Sequence, residues 1–471
     1  MKISGIVSEY NPLHNGHIYH IEKTRENGAT HIVAVMSGNY VQRGETAVMN
    51  KFERAKLAVR SGVDLVIEIP TVYALASAEF YARGAVYLLN SLGCVDEISF
   101  GSEVGSLEDL EQTADIVWEC EQSEELEELL KSGMSYPNAI NSMILSEHGR
   151  KKGNRISEIL ASPNNILAVE YLKALKYFES DIKPFTIIRK SAGHDSMTPH
   201  ENIASASYIR KCMDEKEDFY GLVPNRVYDS YKQAVSEGNI AQIKNLERIL
   251  IYRLRTISKE ELENIPDVGQ GLENRIADCS HLSSIEEITQ AIKTKRYTMA
   301  RIRRILYNML IGITKSDLDI LPPYARVLAV TDRGRDILSK AKETASIPVN
   351  TSLAKLANMS DEAKRFAEIE GLASDIYALA QKKIGKGQSD YKAMITLEPQ
   401  SEEELQEEKE DIQEAIEMIE EENPDVIAEL EQEMALEAEM MEMMGIIEPE
   451  EIQEESDETD DDGNTEDEDE I

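Results

Sequence analysis

The chain has 471 residues, with 89 acidic against 50 basic side chains, a formal net charge of −39 and 41% hydrophobic residues. That is enough for two or three domains with cores of their own. No apolar run is long enough to cross a bilayer and no basic-then-hydrophobic leader follows Met1, so a soluble cytoplasmic protein is the expectation. The charge excludes less than it suggests: residues 401–471 hold 34 Asp or Glu and one Lys, while the other 400 residues carry 55 acids against 49 bases. The body is free to bind an anion.

From the N-terminus, KISGIVSEY predicts a strand and HNGHIYHIEKTRENG a helix ending at Gly28. HIVAVMSG, DLVIEIP and VDEISFGSE predict further strands, separated by the helices NKFERAKLAVRSG and AEFYARGAVYLLNSLG, which end at Gly62 and Gly93. Glycine just past a helix suits a left-handed cap. The strands are short, β-branched and apolar on both faces, as in a covered parallel sheet. Residues 106–180 read as largely helical, with NNILAVEYLKAL the clearest segment, and FTIIRK as another strand. Long amphipathic helices such as RYTMARIRRILYNMLIGI follow, with short strands returning near ARVLAVT and SIPVN. The fold class is therefore α/β: a Rossmann-like parallel-sheet domain over 1–215, a mainly helical domain over 216–395, and an acidic tail over 396–471, largely disordered. Cys94, Cys120, Cys212 and Cys279 are scattered without CxxC spacing and read as reduced, buried thiols.

Three of the eight histidines, His14, His17 and His20, fall within seven residues after the first strand. Ligands of such sheets bind beyond the carboxyl ends of the strands. A spacing of three puts the imidazoles of His14 and His17 on one face of a helix's first turn, and Gly16 lets a ligand approach the backbone. A helix N-terminus favours phosphate, and two imidazoles there can donate hydrogen bonds to a phosphate gaining charge. An isolated HxxH is more often a helix cap or an adventitious metal site. The placement after the first strand favours phosphate chemistry.

HNGH resembles the HxGH signature of the nucleotidylyltransferase superfamily, and IASASYIRKCM resembles its late Ser-rich loop ending in a basic residue. The resemblance narrows over GIVSEYNPLHNGHIYHI, AVMSGNYVQRGE, SGVDLVIEIP, FGSE, PNNILAVEYL and RKSAGHD, from Met1 to about Lys392, to the tRNA(Met) cytidine acetate ligase family. It implies two steps: ATP and acetate give acetyl-adenylate, and the acetyl group passes to the wobble cytidine of elongator tRNA(Met), giving N4-acetylcytidine. It implies ATP-binding residues Val7, Ser8, Glu9, Tyr10, Asn11, Pro12, Leu13, His14, Asn15, Gly16, His17, Ile18, Tyr19 and His20, with Gly101, Asn164 (or its neighbour Asn165) and Arg189. His14 and His17 would be catalytic, and Ser205, Ser207 and Arg210 would receive the departing phosphates.

Carboxylate attack on ATP sets anion against anion, so neutralisation and positioning matter more than an added base. Gln42 and Arg43 are candidates to meet acetate or phosphate, while Lys51 and Arg54 read as a solvated helix face. No dedicated metal cluster is visible, so Mg²⁺ is expected to arrive with the nucleotide. For tRNA, Lys295, Arg296, Arg301, Arg303 and Arg304, with Tyr297 interleaved, are the candidates, and Arg253, Arg255 and Lys259 could extend that surface; phosphate attraction plus a stacking aromatic commonly holds RNA. Without the resemblance the same stretch reads as an amphipathic helix with a solvated basic face. The tail departs from the family's pattern and is read as a solubilising appendage or an RNA competitor. The alternatives are a small-molecule nucleotidylyltransferase of cofactor biosynthesis and a catalytically silent binding module.

Overall fold

The computed structural model describes residues 1–189, 204–269, 271–294 and 296–398; the acidic stretch 401–471 and Lys295 lie outside them. Among the described residues there are ten strands: β1 Ile3–Ser8, β2 His31–Ser37, β3 Tyr40–Val41, β4 Glu45–Thr46, β5 Leu65–Ile69, β6 Glu97–Ser102, β7 Lys183–Ile188, β8 Ala325–Thr331, β9 Val349–Asn350 and β10 Thr396–Glu398. The main sheet runs β10-β8-β5-β2-β1-β6-β7, with β9 beside β8. β1 pairs in parallel with β2 (Gly5 opposite Val33) and with β6 (Gly5 opposite Ile98). β3 and β4 form a separate antiparallel hairpin.

The helices are α1 Asn15–Glu26, α2 Lys51–Val59, α3 Thr71–Ala74, α4 Ala78–Ser91, α5 Leu107–Glu121, α6 Glu124–Lys131, α7 Tyr136–Ile159, α8 Pro163–Tyr177, α9 Ala206–Glu215, α10 Asn225–Glu237, α11 Glu247–Thr256, α12 Lys259–Glu263, α13 Leu272–Asp278, α14 Ile285–Ile292 and α15 Met299–Ile311. Further helices include Asp361–Ala380. Every strand and helix predicted from the first 100 residues is present. Gly28 and Gly62 take φ of +86° and +98° just past α1 and α2, where a side chain would be strained.

The apolar continuity of the strands follows from their double burial. Val33, Val35, Leu65 and Ile67 join one core with α4 and α8, while Ile32, Ala34, Met36 and Val66 join another with α1, α2, α9 and α10. Ile116, Ala139, Met143 and Ile156 make a third, smaller core within α5 to α7. The late strands return as the sequence suggested, but not as a local sheet. β8 runs antiparallel against β5 (Leu65 opposite Val330), and β10 pairs in parallel with β8 at that edge, so residues 396–398, which the sequence assigned to the tail, belong to the sheet. The four cysteines are free and buried. No helix among the described residues is long and apolar enough to cross a membrane.

The sequence placed Lys51 and Arg54 on a solvated face, and the structure corrects this: they are 1% and 0% exposed. Arg54 donates to the carbonyls of Glu9, Ser37, Gly38 and Met49, satisfying acceptors where β1 and β2 end and no ladder continues. Lys51 Nζ lies 2.5 Å from Glu68, 2.7 Å from Asp390 and 3.6 Å from Glu370. Arg326 completes the cluster at 2.6 Å from Asp390 and 3.3 Å from Glu68. An amphipathic count cannot see such pairing, because the partners lie up to 339 residues away.

Candidate active site

The strand order reverses at β1: β2 and β5 lie on one side, β6 and β7 on the other. Such a switch point opens a crevice beyond the strand ends. A cavity of about 400 Å³ occupies it, lined by Val7–Asn11 at the end of β1 and just beyond, by Gly101 and Glu103 at the end of β6, and by Arg189 just past β7. His14, Gly16, His17, Tyr19 and His20 of the α1 turn, Pro163 and Asn164 opening α8, and Ser205 opening α9 also line it.

His14 and His17 cap α1 reciprocally. Gly16 N donates to His14 Nδ1 at 3.1 Å, and His14 N donates to His17 Nδ1 at 3.2 Å. An acceptor Nδ1 puts the proton of a neutral ring on Nε2. The rings lie 4.0 Å apart between centroids. Burial, reinforced by Arg189 and Arg210, pushes His14 down to about 3, and burial with His14 and Arg189 nearby pushes His17 well below its usual value. Both are thus neutral near pH 7, each with one Nε2–H to offer. His20 is also lowered by burial, to about 4, and its ring meets Ser99 Oγ at 3.0 Å, tying α1 to β6.

Of the segment 7–20, Pro12, Leu13, Asn15 and Ile18 do not reach the cavity. Leu13 and Ile18 face the core, Leu13 N donates to Tyr231 Oη, and Asn15 Nδ2 donates to the Gly221 carbonyl. The helical period turns one side of this run inward.

At Gly101, which lines the cavity, a Cβ would sit 2.9 Å from Arg189 Cγ. The glycine lets the arginine cross the strand end. Asn164 and Asn165 are separated in role. Asn164 lines the cavity and donates to Glu103 Oε1 at 2.6 Å. Asn165 is buried, accepts from the N–H groups of Glu103 and Val104, and its own N–H meets Glu103 Oε2. Glu103 was not singled out by sequence, since its partners lie about sixty positions away. Tyr81, Phe100 and Tyr171, which also line the cavity, carry no local signal either.

Ser205 caps α9 by accepting from Tyr208 N. Arg210 donates to the Asn11 carbonyl at 2.9 Å, to Ser207 Oγ at 3.1 Å and to Glu45 at 3.2 Å. Ser207 and Arg210 thus stand beside the cavity wall and are joined to it through Asn11. Glu9 lines the cavity, accepts from Gln42 N at 2.9 Å and is raised by burial. Among the described residues no cluster of His, Cys, Asp or Glu could hold a metal ion.

The basic stretch is built differently from a free RNA face. Arg301 donates to the Asp267 carbonyl at 2.6 and 2.9 Å, and Arg304 lies 2.8 Å from the Asp267 carboxylate, almost fully buried. Arg303 pairs with Glu45, the same carboxylate that holds Arg210. Gly44 at the hairpin tip presses on α15, where a Cβ would meet Arg304 N at 2.6 Å. Tyr297, expected to stack, is only 8% exposed. Arg253 and Arg255 donate to backbone carbonyls. Arg296 lines a shallow depression with Glu127, Leu130, Lys131 and Gly133.

Comparison with known proteins agrees with this architecture. Residues 1–392 match the family model described as HIGH Nucleotidyl Transferase. The tRNA(Met) cytidine acetate ligase of Alkaliphilus metalliredigens is 37% identical over 417 residues, covering 83% of this chain and 97% of the relative. That of Acetivibrio thermocellus is 40% identical over 399 residues, covering 81% and 96%. Crystal structures of Thermotoga maritima TmcAL, 31% identical, superpose with TM-scores of 0.79 (apo) and 0.77 (bound with alpha-thio ATP), each covering 85% of this chain and all of the other. The chain belongs to the tRNA(Met) cytidine acetate ligase family, built on a HIGH nucleotidyltransferase domain.

Proposed function

We propose that this protein activates acetate with ATP as acetyl-adenylate and passes the acetyl group to the exocyclic amine of the wobble cytidine of elongator tRNA(Met), releasing AMP and the proton of the amine. The observation that carries this reading is the gathering of His14, His17, Arg189 and Ser205 around one cavity at the β1/β6 crevice. The triphosphate would lie across the α1 turn, with the Nε2–H groups of His14 and His17 at the α-phosphate. Attack by an acetate oxygen there forms the acetyl–phosphate anhydride and expels pyrophosphate, whose charge Arg189, Arg210, Ser205 and Ser207 would meet. Neutral histidines suit this chemistry, because they lend hydrogen bonds that strengthen as charge builds, without trapping ATP in the ground state.

Residues 1–215 would supply this chemistry and 216–395 would join in holding the tRNA. Mg²⁺ would come with the triphosphate and neutralise part of its charge. A cytoplasmic location goes with a tRNA substrate.

The test is acetate-dependent exchange of labelled pyrophosphate into ATP, followed by acetyl transfer to purified tRNAs. Exchange with acetate and transfer to tRNA(Met) alone is the expected outcome. Intact ATP binding without acetate-dependent exchange would overturn the reading, and exchange with another acid would favour a small-molecule nucleotidylyltransferase.

A further inference from the structure

Of the arginines of α15, Arg301 and Arg304 are held by Asp267, and the partly exposed Arg303 pairs with Glu45. A second group of exposed cations lies on α7. α7 is two helices joined at Gly149, whose φ of +73° and ψ of 171° break the run. The next three residues, Arg150, Lys151 and Lys152, are exposed, and none of their side chains has a hydrogen bond or ion pair among the described residues. Their basic neighbour Arg155 is held by Asp109 at 2.6 Å. The acidic helix α6 shares its core with Ala139–Ile144 before the break and with Ile156 after it.

The position of this corner matters as much as its charge. From Lys152 to the end of α7 is about 10 Å of helix, and a few residues later Pro163 and Asn164 stand on the cavity wall. A few nucleotides of RNA could span that distance. We infer that the corner Arg150–Lys152 is a phosphate-backbone contact for the RNA substrate, gripping the strand on the α8 side of the cavity while the target base enters. This rests on the proposed function for the identity of the RNA. The recognition is electrostatic and sequence-independent, so it adds affinity and orientation while base choice is made at the cavity.

The test uses the full chain and a labelled tRNA(Met) anticodon stem-loop. R150Q/K151Q/K152Q is expected to bind it at least about tenfold more weakly near physiological salt, with the slope of log K against log salt reduced by about two. The charge-keeping variant R150K/K151R/K152R is expected to bind like the parent, which excludes a folding defect. Pyrophosphate exchange without RNA should be unchanged in both. Parental affinity and salt slope in the glutamine variant would overturn the inference. Because binding is read directly, absence of exchange in the parent protein would count against the proposed function alone.

Discussion

His14 and His17 each accept a backbone N–H of the α1 cap on Nδ1, at 3.1 and 3.2 Å, so that capping the helix also selects the Nε2–H tautomer of both rings. Structure and chemistry are thus served by opposite sides of the same imidazoles. Asparagine can imitate the cap but reaches less far. H14N and H17N are expected to keep the fold while losing roughly 10²–10³ in kcat of pyrophosphate exchange, the usual cost of a lost transition-state donor. The double variant should lose less than the product of the two, because the rings act together. Exchange kinetics with matched thermal melts check this.

Acid should destabilise the protein earlier than its carboxylates alone would. His14 and His20 are held down to about 3 and about 4, and His17 lower than usual, against 6.5 for an unfolded chain. Between pH 6.5 and about 4 the unfolded chain binds protons that the folded one refuses, so stability falls as pH falls through that window. Melting temperature followed from pH 7 to pH 4 should drop, and the drop should be shallower in H14N/H17N/H20N. An equal slope in the two proteins would contradict the assignment.

G101A is expected to displace Arg189, because the added methyl would lie 2.9 Å from its Cγ. ATP KM in the exchange reaction should rise by about tenfold or more, the equivalent of about 1.4 kcal/mol, with little change in melting temperature. Combining it with R189A should add almost nothing, since both act through one guanidinium.

K51M would leave Glu68, Glu370 and Asp390 facing Arg326 alone in a site that excludes water. Removing one partner of a buried charge cluster typically costs about 3–5 kcal/mol. Urea denaturation monitored by circular dichroism should show a loss of that size. A variant within about 0.5 kcal/mol of the parent would mean that Lys51 does not hold these carboxylates together.

Much of the nucleotide half was legible because its signals are local. The strands alternate with glycine-capped helices, and HNGH follows β1 in the chain as it follows it in space. What escaped reading depends on distant pairing. Lys51, Arg54 and Arg304 look like surface cations until carboxylates and strand-end carbonyls from remote segments are folded onto them. Tyr297 looks like a stacking platform until its ring is buried. Glu103 organises the start of α8 through Asn164 and Asn165, a relation invisible to any short window. Periodicity reports which face is apolar, not which polar residue has found a distant partner.

The antiparallel seat of Ala325–Thr331 beside Leu65–Ile69 bears on heredity as well as on folding. A gene fragment stopping before that strand would encode a sheet with a raw hydrogen-bonding border, prone to sticking to its own copies. The two stretches therefore make one sheet border and fold as one unit.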